Sequence, residues 1–133
     1  MTDLRGLKPL RHPRTWLALW CLAVVLVFVA CLVPAPDLPS VPHGFDKIEH
    51  FLAFFLLAAS AVQLYATRRA LWYAALGLLA LGVAIELAQF AFTSSRSMDP
   101  RDVLADVLGV AAGFAIALTP LRDLLLRIDG ARA

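Results

Sequence analysis

The sequence predicts an all-α fold, a four-helix polytopic membrane bundle with both termini in the cytoplasm. Composition, four long apolar segments and an uneven distribution of charge predict it. Of the 133 residues, 61% are hydrophobic and 17% are charged, whereas soluble domains average about 45–50% apolar and about 25% charged residues. We therefore interpret residues 1–133 as one membrane domain. The net charge is only +2 and no dense basic run occurs, so no nucleic-acid partner is expected.

Four apolar segments account for most of the chain. The first, Trp16–Val33, carries no charge and is followed by the proline-rich stretch "PAPDLPSVP", in which a helix cannot continue. The segments predict helices over about 16–33, 47–67, 70–93 and 101–119. Spans of about 17–25 apolar residues match the thickness of a bilayer core. A soluble four-helix bundle would need polar stripes along its helices, which the first and third segments lack.

The basic residues predict the orientation. Nine of the twelve fall in the N-terminal segment, the turn near residue 68 and the C-terminal tail. The other three are Lys47, Arg96 and Arg101. Because the side of a membrane protein that is richer in Lys and Arg stays in the cytoplasm, we expect both termini inside. The opposite end, where most acidic residues fall, should then face outward.

Polar residues collect where three predicted helices end. Helix two opens with "DKIEHF", helix three ends with "ELAQ", and helix four opens with "DVLADVLG". In a bundle of alternating direction these ends meet at the outer face, where we predict a polar pocket. Its candidate residues are Asp46, Lys47, His50, Glu86, Gln89, Arg96, Asp102 and Asp106.

Glu86 is the least expected of these residues. It lies about two turns inside its helix, too deep to serve as a cap. An ionisable side chain inside a membrane is by default a functional-site hypothesis. An unpaired carboxylate there costs several kcal/mol, so we expect Glu86 to come within salt-bridge or one-water reach of Arg96.

The start of helix four carries two carboxylates on one face. Asp102 and Asp106 are four residues apart, and the same face continues with Gly109 and Gly113. Those two glycines form a GxxxG spacing, which allows close helix packing in lipid. We expect a neighbouring helix to pack there, below the pocket.

Structural interpretations compete with the functional one. Asp46 followed by Glu49 is typical of a capping box with Asp46 as the N-cap. Asp99 before Pro100 is typical of an N-cap followed by a first-turn proline. The whole cluster could also be an ion-pair network that fixes the register of the helices.

The order of these residues resembles the VanZ-like family of small bacterial membrane proteins. The resemblance covers roughly residues 40–120. It is carried by Asp46-Lys47-x-x-His50, Glu86-x-x-Gln89, Arg96 and Asp102-x-x-x-Asp106-x-x-Gly109-x-x-x-Gly113. It implies a four-helix, multi-pass protein of the bacterial inner membrane. The name-giving member of the family is associated with low-level resistance to teicoplanin. The family usually has asparagine where this chain has Asp106.

Three functions remain open at this stage. The first is an envelope protein whose outward-facing pocket binds a lipid-linked cell-wall component or a glycopeptide. The second is an enzyme acting on a lipid headgroup, with His50 as general base, Glu86 or Asp102 as its orienter, and Arg96 holding a phosphate. The third is a purely structural cluster. The first is preferred, so enzymatic activity is not the leading hypothesis.

No cofactor is predicted, and no Cys/His spacing typical of a metal site occurs. His50, Glu86, Asp102 and Asp106 are the residues that would hold a metal if one were present, and they would suit a hard or borderline divalent ion. The expected partners are membrane lipids and the lipid-linked or glycopeptide ligand. The sequence does not determine the oligomeric state.

Overall fold

A computed structural model describes residues 6–33, 44–93 and 98–130. These residues are almost entirely helical, as the sequence predicts, and an isolated β-bridge joins Leu7 to Tyr65. The helices are α1 (Pro13–Leu32), α2 (Phe45–Leu64), α3 (Arg68–Phe92), α4 (Pro100–Ala115) and the short α5 (Leu124–Asp129), with 3-10 turns at Ile116–Leu118 and Pro120–Asp123.

Three helices, α1 to α3, are each long and apolar enough to cross a membrane. The fourth span qualifies only as a bent pair, in which Pro100–Leu118 meets Pro120–Asp129 at 82°. Pro120 explains the break, since proline lacks the N–H that would continue the helix. The α-helical part of the fourth span ends at Ala115, four residues before the predicted end. Sequence reasoning did not predict α5.

Helices α2 and α4 form the most extensive contact of the bundle. An ideal Cβ at Gly109 would lie 2.5 Å from the carbonyl oxygen of Phe51, and one at Gly113 would lie 2.6 Å from that of Phe55. Real Cβ atoms do not approach backbone so closely. The two glycines therefore let the two backbones approach, as expected of a GxxxG face.

Many large apolar side chains on the helix surfaces are exposed. Examples from α1 and α3 are Val25, Leu26, Trp72 and Phe90, with exposed fractions of 55%, 57%, 60% and 69%. In water such surfaces would be an aggregation liability. Lipid tails cover them in a bilayer, which agrees with the membrane character that the composition predicts.

One end of the bundle, here called the basal end, consists of residues 6–12, 64–70 and 118–130. Its N-terminal segment runs antiparallel to the α2–α3 turn, with the Lys8 N–H donating to the Leu64 carbonyl at 2.8 Å. The Lys8 ammonium group is 7% exposed and lies 2.9 Å from the Asp123 carboxylate. It also donates to the Arg122 carbonyl. The N-terminal and C-terminal segments are thus joined across this end.

Candidate functional site

The opposite end of the bundle, here called the acidic end, joins residues 44–50, 82–89 and 98–106. At its centre, His50 of α2 and Asp106 of α4 are hydrogen-bonded, with 2.8 Å between Nδ1 and Oδ1. Both side chains are nearly inaccessible, at 4% and 1% exposure. Because a carboxylate only accepts, the imidazole donates through Nδ1–H. This bond leaves Nε2 as the ring nitrogen with a lone pair when His50 is neutral.

Above this pair, Lys47 holds three carboxylates together. Its Nζ lies 3.1 Å from Asp46, 3.0 Å from Asp99 and 3.2 Å from Asp102. The side chains of Lys47, Asp46 and Asp99 are 30%, 50% and 36% exposed, whereas Asp102 is 10% exposed. One ammonium thus bridges the first turn of α2 and the start of α4. Lys47, Asp46 and Asp99 form the outer layer of the site, and Asp102 connects it to the buried residues below.

Glu86 of α3 completes the buried layer. Its side chain is 1% exposed, and its Oε2 accepts a hydrogen bond of 3.2 Å from the backbone N–H of Asp99. Asp99 is itself the N-cap of α4, since its side chain accepts from the Arg101 N–H at 2.9 Å. Glu86 therefore anchors the residue that starts α4. Its second oxygen, Oε1, has no hydrogen-bond partner among the described residues.

The Asp106 carboxylate also reaches α3. A Cβ added at Gly82 would lie 2.7 Å from Asp106 Oδ2, so a side chain at this position would force the carboxylate to move. Within the described residues Oδ2 has no hydrogen-bond partner. Among the described residues, two buried carboxylate oxygens, one from Glu86 and one from Asp106, therefore have no hydrogen-bond partner near the α3 face that carries Gly82 and Glu86.

Three of these residues have the spacing of a metal site. His50, Glu86 and Asp102 each offer one ligand atom, and these atoms all lie within 4.8 Å of one another. The three come from three different helices and all are buried. Gln89, one turn beyond Glu86, has a different role, because its Nε2 donates to the Cys31 carbonyl at 2.8 Å and ties α3 to the end of α1.

Comparison with known proteins assigns the chain to a family. The model of the VanZ/LLP1 family matches residues 9–125. The chain belongs to the VanZ/LLP1 family. The match is longer than the resemblance over about 40–120, because it includes the N-terminal helix. No curated protein and no solved structure gave a significant match to the chain.

The family assignment links this VanZ/LLP1 protein in general terms to the cell envelope and to glycopeptide resistance. Together with helices apolar enough to span a membrane, it identifies a membrane protein. It brings no ligand and no reaction. The chemistry therefore has to be argued from the acidic end itself.

The pKa of Asp99 can be assigned a direction. The backbone N–H of Arg101 and then the Lys47 ammonium hold the pKa of the Asp99 carboxyl below its ordinary value of 3.8. Both partners are hydrogen-bond donors to the charged form, and hydrogen bonding to the charged form favours it. Asp99 of this VanZ/LLP1 protein is thus a carboxylate at neutral pH.

The structure brings together most of the residues that the sequence singled out. His50, Glu86, Asp102 and Asp106 form the buried layer, and Asp46 and Lys47 lie in the outer layer, whereas the Gln89 side chain contacts the end of α1. Arg96 lies outside the described residues, so its pairing with Glu86 stays a prediction. These buried side chains are at most 10% exposed, so they form a closed cluster beneath a charged layer rather than an open pocket.

One interpretation was wrong, one needs extension, and one residue was missed. Asp46 does not cap α2, because the helix begins at Phe45 with Gly44 as its N-cap and without a side-chain cap bond. Asp99 is a cap, as the sequence indicates, but it also belongs to the site through Lys47 and Glu86. Gly82 was not singled out. Its position four residues before Glu86, on the same helix face, was the available signal.

Proposed function

We propose that this protein is an envelope binding protein whose acidic end faces outward and binds the polar headgroup of an amphiphile, either a lipid-linked cell-wall component or a glycopeptide. The outer layer supports this proposal best. Lys47, Asp46 and Asp99 are charged, hydrogen-bonded and 30–50% exposed. They lie at the ends of helices that are apolar enough to span a membrane, so we expect them at the level of the lipid headgroups.

The outer layer offers both kinds of polar contact. Its ammonium group can donate to phosphate or carboxylate oxygens, and its carboxylates can accept from amines or hydroxyls. Large exposed apolar residues lie beside it, at exposures of 44–84%: Phe45, Ile48, Phe90 and Phe92. An amphiphile could therefore contact the charged layer with its headgroup while its acyl chain stays along these helices.

The orientation can be tested by cysteine labelling. After replacement of Cys21 and Cys31, single cysteines at Ser40 and Ser95 should react with an impermeant thiol reagent on intact spheroplasts. A cysteine at Ala131 should react only after lysis. The positive-inside distribution of basic residues is the reason for this expectation. Labelling of Ala131 alone on intact spheroplasts would place the acidic end in the cytoplasm and exclude the proposed outward-facing site.

Ligand binding can be measured directly on the protein in nanodiscs. Saturable binding of teicoplanin, which carries an acyl chain, should exceed that of a glycopeptide without one. Asp46→Asn should weaken binding, since it removes an exposed negative charge of the outer layer and replaces one of its two acceptor oxygens by an amide donor. Glu49→Gln is the matched control, because Glu49 is an exposed carboxylate of the same helix outside the site. Equal binding by both variants and the wild type would show that the outer layer is not the binding surface.

An enzyme acting on a lipid headgroup is the second candidate, and the His50–Asp106 hydrogen bond favours it. A general base is commonly held by a carboxylate in this way. The orienting residue would be Asp106, whereas the sequence suggested Glu86 or Asp102. Turnover of a labelled phospholipid by the wild type, lost in His50→Gln, would support this candidate. Saturable binding with no product would favour the binding protein.

A further inference from the structure

We infer that the buried layer of the acidic end is a binding site for one divalent metal ion, held by His50, Glu86 and Asp102, with Asp106 positioning His50. No Cys/His spacing in the sequence is typical of a metal site. The inference goes beyond the proposed headgroup binding, which uses the exposed outer layer. It rests on the placement of the ligand atoms, the two unsatisfied carboxylate oxygens and the hydrogen bond behind the histidine.

The donor atoms are close enough to share an ion. A metal bound at about 2.0–2.2 Å to nitrogen and oxygen needs its ligand atoms no more than about 4.4 Å apart. The donors of His50, Glu86 and Asp102 lie within 4.8 Å of one another. Contraction by a few tenths of an ångström therefore brings them into range. Acidic clusters often occur without a metal, so this spacing alone would not suffice.

The unsatisfied oxygens supply the independent observation. Glu86 is 1% exposed, and its Oε1 has no partner among the described residues, whereas its Oε2 is held by the Asp99 N–H. A buried carboxylate oxygen without a partner costs free energy. Asp106 Oδ2 likewise has no hydrogen-bond partner among the described residues. A cation between the helices would satisfy the Glu86 oxygen and offset the excess of negative charge in this layer.

The environment of His50 is that of a ligating histidine. Metal-bound histidines usually donate their other ring N–H to a carboxylate, which fixes the tautomer and the ring orientation. His50 does so through Nδ1 to Asp106 at 2.8 Å. Its Nε2 lone pair is then available to a metal. The pair is buried, so the ring cannot easily rotate away.

The ligand set indicates the kind of metal. One imidazole with two carboxylates suits a borderline ion such as Zn²⁺, Mn²⁺ or Co²⁺ better than Ca²⁺, which prefers six to eight oxygen ligands. Lys47 already bonds Asp102 Oδ1 at 3.2 Å. Asp102 can therefore offer its other oxygen to the ion while Lys47 keeps the outer layer in place.

The test is metal binding by the full-length protein in nanodiscs after removal of metals with a chelator. The wild type should take up one Co²⁺ or Zn²⁺ per chain, with a visible Co²⁺ spectrum and a raised melting temperature, and Ca²⁺ should bind more weakly. His50→Gln and Glu86→Gln should weaken binding by about a hundredfold or more, and Asp106→Asn by about 10–100-fold. Glu49→Gln should bind as the wild type does.

A second measurement separates a metal ligand from a structural residue. Without metal, Glu86→Gln should melt at or above the wild-type temperature, because it removes a buried charge and an amide oxygen can still accept from the Asp99 N–H. A variant that lowers the melting temperature of the metal-free protein, with unchanged metal affinity, would show a structural role and overturn the inference. Failure of the wild type to bind any of the three borderline ions above the His50→Gln level would overturn it too.

Repeating the teicoplanin measurement with and without chelator keeps the two proposals apart. Amphiphile binding by a protein that binds no metal would leave the outer-layer function standing and remove the metal site. Metal uptake without amphiphile binding would support the metal site and contradict the proposed function of the outer layer.

Discussion

The basal and acidic ends of this bundle treat their buried charges differently. At the basal end, the buried Lys8 ammonium is surrounded by oxygens from the C-terminal segment, one of them the partly exposed Asp123 carboxylate. At the acidic end, the carboxylates of Glu86 and Asp106 each leave one buried oxygen without a described partner. Fully satisfied polar networks stabilise and specify a fold, whereas partly satisfied ones cost stability. This contrast agrees with a structural role for the basal end and supports our proposal that the functional site lies at the acidic end.

We expect the largest loss of stability at the contact between α2 and α4, the helices that join the basal and acidic ends. At Gly113, an added Cβ would lie 2.6 Å from the Phe55 carbonyl oxygen and 2.8 Å from the Ala59 backbone nitrogen. Backbone cannot move aside as a flexible side chain can, so Gly113→Ala should force α2 and α4 apart. We expect a loss of about 3 kcal/mol, at the upper end of the cost of overpacking. Denaturation in detergent, followed by circular dichroism, measures it.

Gly77 provides the control for that prediction. No atom lies within 4 Å of an added Cβ there, and alanine favours helix over glycine by up to about 1 kcal/mol. Gly77→Ala should therefore be neutral or stabilising. If the Gly113→Ala variant is as stable as Gly77→Ala, the backbones of α2 and α4 are not in close contact at Gly113. The basal and acidic ends would then not be joined by a tight helix pair.

Asp106 should give the next largest effect and tests the acidic end directly. Asp106→Ala leaves the buried His50 N–H without its acceptor, which costs about 1–3 kcal/mol of stability. Removal of the unsatisfied oxygen offsets part of this cost. We therefore expect a net loss of about 2 kcal/mol in the free energy of unfolding. Asp106→Asn, the usual residue of the family resemblance, keeps an acceptor and should cost less than half as much. Equal melting of both variants would mean that the hydrogen bond does not hold His50.

The sequence predicted the helical architecture because each span is a long run of apolar residues, a local property of the chain. The convergence of polar helix ends followed from alternating direction, which is why His50, Glu86, Asp102 and Asp106 could be grouped in advance. The contact between Lys47 and Asp99 could not be predicted, since contacts between α2 and the start of α4 depend on the relative positions of the helix ends. The role of Gly82 depends on the direction in which the Asp106 carboxylate points, which cannot be predicted from the periodicity of the sequence.

The basal end should respond less to the loss of its charge. Lys8→Met keeps the length of the side chain and removes the ammonium that joins Asp123 and the Arg122 carbonyl. Breaking a fully buried pair costs several kcal/mol, but Asp123 is 38% exposed and water can solvate it afterwards. We therefore expect a loss of about 1 kcal/mol, together with faster proteolysis near residues 120–130. Arg122→Gln, which removes an exposed charge nearby, should leave both unchanged.

Unchanged proteolysis in Lys8→Met would show that the backbone contacts of residues 6–12, and not the ammonium group, hold the C-terminal segment. In that case the basal end would be stabilised without its buried charge, and the contrast with the acidic end would weaken.

The smallest effect concerns Asp99 and appears only in acid. Its pKa is held below the ordinary value by the Arg101 N–H and by Lys47, so the charged form is favoured in the folded protein. A group with a lowered folded-state pKa contributes stability that is complete above its unfolded-state pKa and is lost as the pH falls through the folded-state pKa. The melting difference between wild type and Asp99→Asn should therefore be constant from pH 7 to about pH 5 and shrink below about pH 4. Asn can still cap α4, so the variant removes mainly the contact with Lys47. Because Asp99 is exposed, high salt should also reduce the difference in melting temperature. A difference that grows on acidification would contradict the lowered pKa and remove Asp99 from the charged layer that distinguishes the acidic end.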